Sequence, residues 1–233
     1  MEYFYTPPAL VTPPTLAIEG DELNHLTHVM RMRVGDAICV VDGAGTAYDA
    51  VIREITRRSA LCTISDRHPG MHEAACAVTL AAGMLKNPAR FDYLVEKSVE
   101  LGVRTIVPLL TERTIARQAK TDRWQKLCIA AMKQSGRCFL PQIQAAVPYP
   151  QFIASEHHPP LRFIAHESAR HPLRGMPTEG EAHALICIGP EGGFSTDELR
   201  MAERGGFRLV SLGRRRLRTE TAAVVAVAAL LQG

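Results

Sequence analysis

Five short strand-like runs punctuate the chain, at residues 76–82, 104–110, 161–165, 184–188 and 207–212, the second of them nearly unbroken in apolar character. A strand with one wet face alternates polar and apolar residues, so an unbroken run describes a strand covered on both faces. Helical patterns lie between these runs. Pro88 stands near the start of one that ends at Leu101, before Gly102, the usual places for proline and glycine at helix ends. Residues 122–137 form a second, rich in Lys and Arg, and residues 219–231 a last one, rich in Ala and Val. Ser195-Thr196-Asp197-Glu198 fits a capping box, with Ser as N-cap and Glu at N3, for a helix reaching Arg204. Alternating strands and helices predict an α/β fold, a parallel sheet with helices on both faces.

Residues 1–70 have a different rhythm. Strands are expected at 37–42, 46–55 and 59–65, the first two joined by a tight turn at Gly43-Ala44-Gly45. A short helix is expected from Asp21 to Met30, with Leu23, Leu26 and Met30 near one face. His68-Pro69-Gly70 breaks the pattern and divides a β-rich domain, 1–70, from an α/β domain, 76–233. A length of 233 residues suits one large or two modest domains.

Composition narrows the class. Hydrophobic residues at 46% and charged residues at 22% describe a folded chain, not a disordered one. The longest strongly apolar run, 222–231, is shorter than the roughly 20 residues of a membrane span. Met1-Glu2-Tyr3-Phe4-Tyr5 lacks the basic start and apolar continuation of a secretory signal. The six cysteines, at 39, 62, 76, 128, 138 and 187, form no C-x-x-C pair. They read as reduced thiols of a cytoplasmic protein, with no metal site expected. His25 and His28 lie three apart but lack a third ligand.

The net charge of +3 hides an asymmetry: residues 1–75 carry a net −4 and residues 76–233 a net +7. A polyanion would be drawn mainly to the second part of the chain.

Three loops at strand ends carry the unusual residues. Ile188-Gly189-Pro190-Glu191-Gly192-Gly193-Phe194-Ser195 has three glycines between a buried strand and a capped helix. It is neither a Walker A loop nor G-x-G-x-x-G. It is either a tight strand-to-helix turn or a ligand loop, and the carboxyl end of a parallel sheet is where ligands bind. Leu212-Gly213-Arg214-Arg215-Arg216-Leu217-Arg218-Thr219-Glu220 places four arginines at the start of a helix. The helix dipole disfavours cations there, so phosphate binding competes with a plain solvated loop as the reading. His166-Glu167, after the 161–165 strand, is an acid/base couple or a structural pair. One site built from three loops explains more than any single motif.

At these residues the chain resembles the RsmE family of bacterial ribosomal RNA methyltransferases, in the SPOUT superfamily. The resemblance lies in residues 188–194, in Leu212-Gly213 with residues 217–222, in 96–103, in Glu112-Arg113, in 134–137 and in 28–36. It runs through almost the whole chain in one order. Lys133 and Thr114 depart mildly from the family pattern.

The resemblance implies a PUA-like β-barrel followed by a SPOUT α/β domain whose C-terminal segment forms a deep trefoil knot. It implies S-adenosylmethionine as methyl donor, a homodimer, and methylation of N3 of one uridine in 16S rRNA of the small ribosomal subunit. His166, Glu167, Ile188, Gly189, Gly192, Gly193, Leu212, Gly213, Leu217 and Thr219 are then expected to hold the donor. Arg218 is expected to steady the uracil anion, and Glu191 or Glu220 to accept the N3 proton or else to cap a helix. Arg31, Arg33, Arg113, Arg137, Arg214, Arg215 and Arg216 are the expected RNA contacts.

Two other classes compete. A non-catalytic RNA-binding factor would be expected to show degraded glycines, and a Rossmann-like nucleotide enzyme would need G-x-G-x-x-G or a Walker lysine. The nearest alternative enzyme is a methyltransferase acting on tRNA or on a ribose hydroxyl.

Overall fold

The computed structural model describes residues 2–115, 120–173 and 183–231. The chain folds as two compact units, one of Met1–Glu73 with Ile129–Leu140 and one of Ala74–Cys128 with Pro141–Gly233. Among the described residues no helix is long and apolar enough to cross a membrane.

The first unit is a six-stranded sheet. Its strands are β1 (Tyr3–Tyr5), β2 (Val11–Thr12), β3 (Thr15–Glu19), β4 (Ala37–Val41), β5 (Thr46–Ile55) and β6 (Ser59–Pro69), in the order β1-β4-β5-β6-β3-β2. Only β1 joins its neighbour in parallel. The Thr6 hydroxyl, just past β1, donates to the Ala17 carbonyl of β3, so the sheet curls. Phe4, Leu16, Ile18, Leu26, Val40, Ile52 and Cys62 fill its core.

Beyond β1, β2 and β3, which the sequence reading does not include, three features differ from it. β6 continues past residue 65 because the long β5 keeps pairing with it, as far as Thr46 opposite Pro69. The expected helix from Asp21 is a short α1 (Gly20–Asn24) followed by a wider turn over His25–Val29. There the Met30 N–H donates to the His25 carbonyl at 2.9 Å, and the Thr27 hydroxyl donates to the Leu23 carbonyl at 2.7 Å. Finally, residues 129–140 cluster with this unit. Glu73 explains why: its Oε2 accepts Arg137 Nη2 at 2.8 Å, and its Oε1 accepts the N–H groups of Cys138 at 3.1 Å and Phe139 at 2.8 Å.

The second unit is an all-parallel sheet. Its strands are β7 (Ala77–Gly83), β8 (Thr105–Leu110), β9 (Gln142–Ile143), β10 (Val147–Pro148), β11 (Leu161–Ala165), β12 (His183–Ile188) and β13 (Arg208–Val210). The order is β10-β8-β7-β12-β11-β13, with β9 also on β8. Its α-helices are α2 (Pro88–Leu101), α4 (Tyr149–Ile153), α5 (Thr196–Arg204) and α6 (Thr219–Leu231), with α3 (Thr121–Ser135) belonging to it as far as Cys128. One face carries α4 and α5, whose Tyr149, Phe152 and Ala202 pack with Phe207 on Ala81, Val107, Ile164 and Cys187. On the other, α6 lies on β7 and β12 and against α2. Asn87 caps α2 by accepting the Ala89 N–H at 3.0 Å, and Gly102 closes it with φ +116°. α6 is apolar all round, as a helix covered on most sides must be.

Candidate active site

The direction of the connections locates a crevice. From β7 the chain passes through α2 to β8, on one side; from β12 it passes through α5 to β13, on the other. β7 and β12 are neighbours, so the winding reverses between their carboxyl ends, where open parallel sheets take ligands.

The loops leaving these two strands pack backbone against backbone. A Cβ on Gly189 would lie 3.1 Å from Cα of Gly193, and one on Gly83 would lie 2.5 Å from the Pro190 nitrogen. Gly193 and Gly213 are glycines for a second reason. Their φ angles are +68° and +120°, yet nothing stands within 4 Å of a Cβ built on either. The backbone there is bare and faces open space. Ile188 is buried, Leu212 and Leu217 are half-buried, and Thr219 is buried at the first position of α6.

The loops after β11 and β13 are joined as well. The His166 N–H donates to the Val210 carbonyl at 3.0 Å, and the Leu173 N–H to the Ser211 carbonyl at 3.0 Å. His166 Nδ1 lies 3.2 Å from the Ser168 N–H and 2.7 Å from the Ser168 hydroxyl. Glu167 is exposed beside it.

One guanidinium ties two of the sequence-predicted carboxylates. Arg90, in the first turn of α2, donates through Nε to Glu220 Oε1 at 2.9 Å and through Nη2 to Glu220 Oε2 at 2.6 Å. Its Nη1 reaches Glu191 Oε1 at 3.3 Å, which also accepts the Lys86 N–H at 3.2 Å. Burial by itself would push the Glu220 carboxyl up. The Arg90 bonds, a backbone N–H and the charges of Arg90 and Arg218 outweigh it and hold the group below its ordinary value. Glu220 is therefore a weak base, locked in a bidentate pair. Glu191 is more open, its side chain 37% exposed.

The arginines separate into distinct roles. Arg214, Arg215, Arg216 and Arg218 are exposed on the loop leading into α6. Arg113 Nη1 donates to the Gly192 carbonyl at 2.6 Å, so it braces the glycine loop. Arg31 and Arg33 are exposed on the first unit, Arg31 with φ +54°. Arg137 corrects the expectation of an RNA contact: its side chain is 2% exposed and paired with Glu73, so phosphate cannot reach it.

Three residues of this site escaped the sequence reading as members of it. In sequence Gly83 merely follows an apolar run, Arg90 is a cation in a first helical turn, and Glu198 has the place of a cap. A cation at a helix N-terminus opposes the dipole and needs an anionic partner; that signal, used above for Arg218, applies equally to Arg90.

A switch-point crevice in a parallel sheet, with close-packed glycine backbone at its strand ends and exposed arginines on the loop into α6, defines a ligand-binding α/β protein. Residues 72–231 match the family model described as RNA methyltransferase domain, and residues 18–65 the one described as RNA methyltransferase PUA domain. The chain belongs to this family of RNA methyltransferases. A Synechocystis protein named ribosomal RNA small subunit methyltransferase E is 32% identical over 229 residues, covering 95% of this chain and 74% of the relative. A Mesomycoplasma hyopneumoniae protein of the same name is 30% identical, covering 87% of each. The crystal structure of a ribosomal RNA small subunit methyltransferase E from Neisseria gonorrhoeae, bound to S-adenosyl methionine, superposes with a TM-score of 0.88 at 32% identity, covering 100% of this chain and 97% of that one. A Legionella pneumophila protein solved in complex with the bound cofactor SAM gives 0.82 at 30% identity, covering 98% and 96%.

Proposed function

We propose that this protein uses S-adenosylmethionine to methylate N3 of one uridine in the 16S rRNA of the small ribosomal subunit. The observation that carries the reading is the crevice at the carboxyl ends of β7 and β12, where Gly83 and Gly189 allow close backbone packing and the Gly193 backbone is left bare. The two relatives and the Neisseria protein share the name of a small-subunit ribosomal RNA methyltransferase, and two similar structures were solved with the donor bound. The uncovered backbone at Gly193 and Gly213 supports this reading, since a ligand placed there would meet main-chain donors and acceptors.

On this reading the donor brings a sulfonium-activated methyl group, and the chain aligns it with N3. Backbone groups of Ile188, Gly193, Leu212 and Leu217 hold the nucleoside part, with Gly189, Gly192, Gly213 and Thr219 shaping the loops. His166 and Glu167 border the pocket on the β11 side. Arg218 steadies the charge that spreads over the uracil carbonyl oxygens as N3 loses its proton. Glu191 is the remaining carboxylate for that proton, since Glu220 is held by both of its oxygens. The uracil edge must be unpaired to enter. Arg31, Arg33 and residues 214–216 would then neutralise phosphates, residues 1–70 contacting RNA and 76–233 performing transfer. The same reading includes a C-terminal trefoil knot, a homodimer without a metal, and a cytoplasmic enzyme.

The test supplies labelled S-adenosylmethionine to small subunits lacking the modification and maps the labelled nucleoside. Label on N3 of a single 16S uridine is the expected result. Label on tRNA, on a ribose hydroxyl or nowhere overturns the proposal.

A further inference from the structure

We infer that Arg90 is a positioning residue that clamps Glu220 and Glu191, holding the 189–193 loop and the first turn of α6 in the shape that receives the methyl donor, and that Glu220 serves as its counter-charge and not as the proton acceptor. The inference rests on the reading above and assigns a role to a residue the motifs do not include.

The geometry supports this in three ways. First, the contact is a fork on a fork. Nε and Nη2 meet the two oxygens of Glu220 at 2.9 and 2.6 Å, fixing the angle as well as the distance between the starts of α2 and α6. Second, the same guanidinium reaches Glu191 at 3.3 Å, and that carboxylate also takes the Lys86 N–H. One side chain therefore links the segment after β7, the glycine loop after β12 and the helix after the arginine loop. Third, the pair is sheltered, the side chains of Arg90 and Glu220 being 26% and 11% exposed. Two helix N-termini meet here, and the α2 dipole disfavours Arg90 at its own first turn. The two carboxylates offset that cost, and Glu220 in turn suits the first turn of α6.

A proton acceptor needs free lone pairs directed at the substrate. Glu220 spends both oxygens on Arg90. Adjacent Arg218 and Thr219 are set by where Glu220 is held, which is how a residue outside the chemistry controls it.

The experiment uses the full chain and its Arg90→Lys, Arg90→Gln, Glu220→Gln and Arg90→Gln/Glu220→Gln variants, each checked for folding by circular dichroism. Calorimetry gives S-adenosylmethionine affinity, and turnover on small subunits gives KM and kcat. Arg90→Lys keeps the charge but loses the fork, and Glu220→Gln is nearly isosteric, so these two decide the matter where Arg90→Gln does not fold. Each single variant is expected to weaken donor binding by about tenfold or more, the scale of one lost charged hydrogen bond. The double variant should bind no more weakly than the worse single one. The loss should sit in KM for the donor, with kcat at saturation kept within about tenfold of the parent and its pH profile unchanged in Glu220→Gln. Donor binding by Arg90→Lys within twofold of the parent overturns the clamp. So does a Glu220→Gln variant that binds donor normally but loses about 100-fold or more in kcat, the mark of a missing acid/base group. A parent that binds no donor instead sinks the proposed function, and this inference with it.

Discussion

Glu198 accepts the backbone N–H of Glu112 at 2.8 Å through one carboxylate oxygen, while its other oxygen accepts the N–H of Ser195 at 2.8 Å. The side chain that completes the α5 capping box also fastens the loop after β8 to the glycine loop after β12. Glu198 is 5% exposed, and its carbonyl accepts the buried Tyr149 hydroxyl at 3.0 Å. Replacing it with alanine removes the box and leaves the Glu112 donor without this acceptor. A cap is worth about 1 kcal/mol and an unmade bond to a charged group a further 1–3 kcal/mol. Glu198→Ala should therefore lose about 2–4 kcal/mol in urea denaturation. It should also weaken the donor site, because Arg113 and Gly192 share that junction.

Gly83 tests how tightly the crevice is built. Its Cβ would stand 2.5 Å from both the nitrogen and Cδ of Pro190, a distance that only a backbone shift can relieve. Gly83→Ala should cost about 1–3 kcal/mol as overpacking and displace the 189–193 loop. Calorimetry should then show S-adenosylmethionine affinity lowered at least tenfold. Gly193→Val should abolish binding for a different reason, since φ +68° is closed to a β-branched residue.

Arg137 and the arginines at 214–216 should behave in opposite ways. Breaking the buried Arg137–Glu73 pair leaves Glu73, 12% exposed at its side chain, without its cation. Such losses cost about 3–5 kcal/mol, so Arg137→Ala should melt far below the parent. Where it remains folded, it should leave the salt dependence of RNA binding unchanged. Replacing Arg214, Arg215 and Arg216 with alanine should leave stability intact. It should flatten the log–log slope of RNA affinity against salt by about 2, each phosphate contact contributing 0.7–0.9.

What could be read in advance was what local patterns encode. The α5 capping box, the ends of α2 at Pro88 and Gly102, and the buried strands β11 and β12 announce themselves within a few residues of chain. β1, β2 and β3 do not, because prolines at 7, 8, 13 and 14 interrupt short segments that are strands only through their partners. The three-loop site was legible as a convergence of strand ends. Its internal wiring was not: Arg90 meets Glu220 across 130 residues, and Arg137 meets Glu73 across 64. No periodicity reports a pairing at that distance. The switch point between β7 and β12 likewise depends on strand order, which the apolar runs leave open.

The Arg90–Glu220 pair also sets a pH window. Glu220 is held below its ordinary value in the folded protein, so the unfolded chain binds its proton more readily. The pair's contribution is therefore present in full above the unfolded value, about 4.3 for a glutamate. It is lost as the pH falls through the lower folded value, where protonation leaves Arg90 facing a neutral carboxyl group. Donor affinity measured from pH 8 downward should stay level through the ordinary glutamate range and drop only below it. Glu220→Gln should bind donor weakly at every pH and show no such drop. An affinity that declines between pH 7 and 5 in the parent, and equally in Glu220→Gln, would assign the acid sensitivity to another group and detach it from the clamp.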